Sequence, residues 1–125
     1  MKLKIRIKQT KPGVVTLSPI GHIDTKTSST LDKEIDGVLA KPVKVLVLDM
    51  TDVDFITSAG VGIIVKTKTS LKRKGGDFAM INLQPQVEKV FEILRLIPVM
   101  EVFASREELD EYLVKVQDKI KREDS

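Results

Sequence analysis

The residues best suited to chemistry lie in one run, Asp49-Met50-Thr51-Asp52-Val53-Asp54-Phe55-Ile56-Thr57-Ser58-Ala59-Gly60-Val61-Gly62. Two hydroxyls, Thr57 and Ser58, stand directly before Ala59 and Gly60, with Gly62 two positions further on. A hydroxyl at the start of a helix has two uses. Its oxygen can accept from the free amides of the first turn and cap the helix. It can also be phosphorylated, because those amides and the positive end of the helix dipole favour a dianion there. Two glycines in a first turn cost about 1 kcal/mol each against alanine. Capping alone does not call for them, whereas the close approach of another backbone does. Tight packing of the helix on a sheet is the competing explanation.

Such a hydroxyl needs a strand before it and a helix after it. Val43 and Val45 to Leu48 form a short apolar run, rich in β-branched residues, suited to a strand covered on both faces. The acidic stretch that follows reads as a polar turn, with Asp49, Asp52 and Asp54 keeping the strand exit solvated. After the hydroxyls, Val61, Ile64, Val65 and Leu71 share one face at helical spacing. Lys72, Arg73 and Lys74 complement the end of the helix dipole, and Gly75-Gly76 supplies a left-handed stop.

Catalytic readings find little support. Gly60-Val61-Gly62 lacks the third glycine of a dinucleotide fingerprint, because Val65 stands in its place. There is no Walker A ending, and the three aspartates lack calcium-loop spacing. Ser58 as a nucleophile would need a base, and the single histidine, His22, belongs to no hydrolase motif. No catalytic residue, metal ligand or cofactor is expected. The absence of cysteine removes disulfides and thiol chemistry.

The 125 residues fit one domain, with 42% apolar and 31% charged residues. A net charge of +3, without a basic face interleaved with aromatics, argues against direct nucleic-acid binding. No apolar run has the length of a membrane span. The alternating start Met1-Lys2-Leu3-Lys4 lacks a signal-peptide core, so a cytoplasmic location and no membrane insertion are expected.

The rest of the chain supplies the scaffold. Leu3, Ile5 and Ile7 alternate with Lys4, Arg6 and Lys8 as a strand, Lys11-Pro12-Gly13 turns, and Val14 to Leu17 returns as a hairpin partner. Thr27, Ser28 or Ser29 caps a helix with the stripe Leu31, Ile35, Val38, Leu39. Asp77 to Leu83 reads as a strand, and Pro85 opens a helix through Val87, Val90, Phe91 and Leu94 that ends near Ile97-Pro98. Val99 to Phe103 is a last strand. Ser105 to Glu108 is a capping box for a helix through Leu109, Leu113, Val116 and Ile120. The order is ββαβαβαβα: one α/β domain over residues 1–118, with a mixed four- to five-stranded sheet and about four helices. Residues 119–125 form a charged tail expected to fray.

The run from Asp49 to Gly62 resembles the signature of STAS domains, and more narrowly that of bacterial anti-sigma factor antagonists of the sporulation and general-stress type. Gly21-His22-Ile23-Asp24 resembles the Gly-x-hydrophobic-Asp segment of the same family. The resemblance implies a small α/β sandwich with helices mostly on one side. By position, it implies phosphorylation of Ser58; Thr57, a hydroxyl where many members carry aspartate, is a competing acceptor. It implies a partner surface of Asp24, Thr25, Thr57, Ser58, Ala59 and Gly60. The partners it implies are an anti-sigma factor that is also a serine kinase and a phosphatase acting on phospho-Ser58, with the chain itself a monomer or weak dimer. It leaves weak nucleotide binding open. The rival implication is a non-switching STAS subunit of a transporter or stress-signalling complex, in which Ser58 is only a cap.

Overall fold

The computed structural model describes residues 3–124, with side chains for residues 3–115. Its elements are β1 (Lys4–Lys11), β2 (Val14–Ile23), α1 (Ser28–Leu39), β3 (Val45–Asp49), β4 (Asp52–Ile56), α2 (Ser58–Arg73), β5 (Asp77–Ile81), α3 (Pro85–Ile93), a 3-10 turn (Ile97–Val99), β6 (Val102–Phe103) and α4 (Arg106–Asp124). The expected mixed α/β class is present. The sheet has six strands, ordered β1-β2-β3-β5-β6 with β4 beside β2. This corrects the expected four to five.

The additional strand is β4, in the stretch that reads as a polar turn. Asp52 and Asp54 are exposed while Val53 and Ile56 are buried, so the aspartates occupy the outward positions of a strand. β4 runs parallel to the second half of β2, from Ile20 opposite Asp52 to Ile23 opposite Ile56. The first half of β2 runs parallel to β3, from Val14 opposite Val45 to Leu17 opposite Leu48. β2 is therefore ten residues long, where Val14 to Leu17 alone was expected. Pro19, which has no amide proton, falls between the two paired stretches and costs neither ladder a bond. Only β1 is antiparallel, joined to β2 through the expected hairpin, with Gly13 at φ 79°.

Strand alternation divides the core. Leu46 and Leu48 of β3 face a cluster with Leu31 and Ile35 of α1, Val61, Ile64 and Leu71 of α2, and Val87 and Phe91 of α3. Val45 and Val47 face the opposite way, onto Leu109 and Leu113 of α4. Three helices thus cover one face and one covers the other.

Helix ends mostly follow the sequence signals. Pro85 is in the first turn of α3, Gly75 takes φ 79° after α2, and Ser105 Oγ accepts the Glu108 amide at 3.3 Å. Two boundaries differ. α3 stops at Ile93, ahead of the proline, with Arg95 left-handed at φ 58°. Pro98 lies in the 3-10 turn, and β6 shortens to Val102–Phe103. α4 is assigned through Asp124. Val116, Ile120 and the charged 119–125 segment lie where side chains are outside the described residues.

Candidate functional site

The site forms where β2 and β4 end together and α2 begins. The Thr57 amide donates to the Ile23 carbonyl at 2.9 Å, which fixes the start of α2 to the last residue of β2. The loop carrying Asp24 and Thr25 leaves from that same residue. Parallel pairing thus brings together two segments about thirty residues apart in sequence, both expected to belong to the partner surface.

Thr57 is the N-cap of α2, in extended backbone, yet its side chain does not cap the helix. Its hydroxyl is directed to Ile23 O at 3.5 Å. Ser58 is the first helical residue and is exposed. The first intrahelical bond runs from the Val61 amide to the Thr57 carbonyl at 3.0 Å, leaving the amides of Ser58, Ala59 and Gly60 without helical acceptors. No acidic residue lies in this first turn. The capping use of the hydroxyl, one of its two sequence readings, is therefore not made here. An exposed alcohol stands instead at the positive end of a sixteen-residue helix.

The glycines separate into two kinds. Gly60 is buried, and a Cβ on it would lie 2.5 Å from Ile23 Cγ2 and 2.9 Å from Ile56 Cγ1. Its smallness serves the contact of α2 with β2 and β4. Gly60, expected on the partner surface, has its side-chain position filled from inside. A Cβ on Gly62 would meet nothing within 4 Å. Gly62 is exposed one turn beyond Ser58 on the same side of the helix, and Ala59 is half-buried.

Asp24 is occupied internally. Its Oδ1 accepts the amides of Lys26 and Thr27, both at 2.9 Å, and its own amide donates to Thr27 Oγ1 at 2.9 Å. Thr27 Oγ1 also donates to the His22 carbonyl at 2.7 Å, so the hydroxyl closes the loop and leaves α1 without a side-chain cap. The Thr27 amide holds the Asp24 carboxyl below its usual pKa. Partial desolvation opposes that, and the Thr27 hydroxyl, the Lys26 amide and the nearby His22 reinforce it. Asp24 thus shapes the loop, and Thr25 and Lys26 are exposed at its tip.

Three residues to which the sequence reading gave no part in the site also gather here. His22 Nε2 is 3.5 Å from Asp54 Oδ2. The ring of His22 meets that of Phe55 with centroids 5.7 Å apart, and Phe55 is 49% exposed. A large aromatic held on a strand at that exposure is suited to anchoring a partner. The available signal was the Val53, Phe55, Ile56 pattern, which the aspartates mask.

Among the described residues, no helix is long and apolar enough to cross a membrane.

Known proteins share this fold. The anti-sigma-B factor antagonist of Listeria monocytogenes is 26% identical over 102 residues, spanning 82% of this chain and 90% of the relative. An anti-sigma factor antagonist from Mycobacterium paratuberculosis superposes with a TM-score of 0.78 at 25% identity, over 92% of this chain and 94% of that one. The Bacillus cell fate determinant SpoIIAA in its phosphorylated form shares the fold, with a TM-score of 0.68 at 20% identity over 87% of this chain and 99% of that one. The family model described as STAS domain matches residues 6–109, which run from β1 into α4 and take in both segments of the site, so the chain belongs to the STAS domain family.

Proposed function

We propose that this chain is an anti-sigma factor antagonist controlled by phosphorylation of Ser58. In this reading it works by binding and has no enzymatic activity of its own. The observation that carries it is the exposed Ser58 hydroxyl at the first position of α2, beside the Asp24 loop and three amides without helical acceptors. Relatives named as antagonists of anti-sigma-B and anti-sigma F factors support the choice of partner.

Unmodified, the surface of Thr25, Thr57, Ser58, Ala59 and Gly62 docks on a cytoplasmic anti-sigma factor, which then releases its sigma factor. The anti-sigma factor acts as a serine kinase. Its ATP gives the γ-phosphoryl group to Ser58 Oγ, ADP leaves, and the hydroxyl proton passes to the kinase. The phosphate adds close to two negative charges and bulk in a close contact. The new charge repels acidic groups of the partner surface. The free amides of α2 hold the phosphate locally, and the fold need not change. A phosphatase acting on phospho-Ser58 resets the switch. The protein acts as a monomer or weak dimer, and neither nucleic acid nor a membrane contacts it directly.

The test is binding to the cognate anti-sigma factor by calorimetry, with phosphorylation followed by mass spectrometry. Ser58→Ala should bind like wild type and take up no phosphate. Ser58→Asp should bind at least tenfold more weakly. Undiminished phosphorylation of Ser58→Ala would move the acceptor to Thr57. Equal binding by all three proteins would make this a fixed, non-switching subunit.

A further inference from the structure

We propose that the part of the sheet left bare by α4 binds a compact polyphosphate anion, held by Arg6, Lys8 and Arg106 over the hydroxyls of Thr16 and Ser18. α4 packs on Val45, Val47, Ala79 and Ile81, toward the β3 and β5 side of its face. Toward β1 that face opens into a cleft of about 640 Å³, lined in part by Arg6, Lys8, Thr16, Ser18, Asp49 and Arg106. It lies on the sheet face opposite α2 and is separate from the Ser58 surface.

The register assembles these groups. Arg6 is opposite Ser18 and Lys8 is opposite Thr16, and directly opposed residues of an antiparallel pair project from one face. Thr16 is buried, and its Oγ1 accepts from Arg106 Nη2 at 3.1 Å, which anchors the guanidinium to the floor of the cleft. Lys8, Thr16 and Arg106 are therefore contiguous, with Arg6 and Ser18 one pleat away.

The charge is unbalanced. Among the described residues the ion pairs are Lys66–Asp32 and Lys72–Asp77, with His22 also near Asp54, and none of these contacts involves Arg6, Lys8 or Arg106. Asp49, the one carboxylate lining the cleft, accepts from the Thr51 hydroxyl at 2.6 Å and the Thr51 amide at 3.1 Å, with Asn82 Nδ2 at 3.4 Å. Arg106 is the first residue of α4, where the positive end of the dipole is offset by Glu107 and Glu108 in the same turn, so the cationic character of the cleft comes from the three side chains lining it. Three like charges around two hydroxyls repel one another until an anion joins them.

The spacing and the lining choose the kind of anion. Arg6 and Lys8, two residues apart on a strand, stand about 7 Å from each other, a span that suits successive phosphoryl groups better than one. No aromatic lines the cleft, so there is no platform on which a base could stack. The recognised element is the phosphate chain, whether free or carried by a nucleotide.

The test is a titration of the ¹⁵N-labelled protein, followed by NMR, with sodium tripolyphosphate, with ATP and with sodium chloride at matched ionic strength. Saturable shifts at the amides of Arg6, Lys8, Thr16, Ser18 and Arg106 with tripolyphosphate are expected. The ATP arm then tells whether a nucleotide-borne chain is also taken. The double variant Arg6→Gln, Lys8→Gln changes only exposed strand positions and should bind at least tenfold more weakly, with its other resonances in place. Shifts equal to those from sodium chloride, shifts centred on α2, or unchanged affinity in the double variant would each overturn the proposal.

Discussion

A Cβ on Gly60 would lie 2.5 Å from Cγ2 of Ile23, closer than real Cβ atoms approach. The start of α2 is thus seated on the end of β2 with no room for a methyl group. Gly60→Ala must push α2 outward or rotate Ile23, and overpacking of this kind costs about 1–3 kcal/mol. Urea unfolding should show a lower midpoint at unchanged slope. An unchanged midpoint would show that α2 can shift freely, and that Gly60 is not small for internal reasons.

Gly62 makes the opposite prediction. Its side-chain direction is empty, so Gly62→Ala should stabilise the protein by up to about 1 kcal/mol through helix propensity. Partner affinity should nevertheless fall, because the added methyl stands one turn from Ser58 on the docking side. Higher thermal stability with full affinity would remove Gly62 from the interface.

Phe55→Ala should separate recognition from folding. The ring is 49% exposed and packs on His22, so stability should change little, by about 0.5 kcal/mol or less. As an aromatic anchor it should carry binding, with at least a tenfold loss of affinity for the anti-sigma factor. Calorimetric binding together with a melting curve decides this. Full affinity would place the interface wholly on the α2 side.

Asp24 gives a pH signature. Its folded pKa is depressed, chiefly by the Thr27 amide, so its contribution to stability is present above the unfolded carboxyl value and lost as pH falls through the folded one. Asp24→Ala should have a lower melting temperature than wild type near neutrality. The difference should shrink as the pH is taken down through about 4 toward 2. A difference independent of pH would assign the effect to loop geometry and not to the carboxylate.

The sequence was legible wherever one physical signal dominated. Val45 to Leu48 read as a buried strand because both faces are covered, and α2 read as a helix because its stripe is regular and Gly75 ends it. Pro85 and Ser105 marked helix starts because their local chemistry suits a first turn. β4 was illegible because Asp52 and Asp54, on its outward face, carry the same letters as a turn. The true length of β2 was hidden by Pro19, whose tolerance depends on a change of partner that exists only in three dimensions. At the site, local letters singled out Ser58. They could not tell that Gly60 points inward and Gly62 outward, because that depends on where Ile23 stands. Phe55 and His22 meet across β2 and β4, a contact between strands about thirty residues apart in sequence.

The change of partner along β2 divides the labour of the sheet. Its first half is locked between β1 and β3, in the middle of the main ladder. Its second half pairs with β4, which belongs to no other ladder. Pro19 lies at the seam. The start of α2, tied through Thr57 to Ile23, therefore rests on the β2 tail and β4, while Val53 and Ile56 of β4 share one core with Leu46 and Leu48 of β3. The ladder that holds the site is thus a side branch of the sheet, joined to the main ladder through β2 alone.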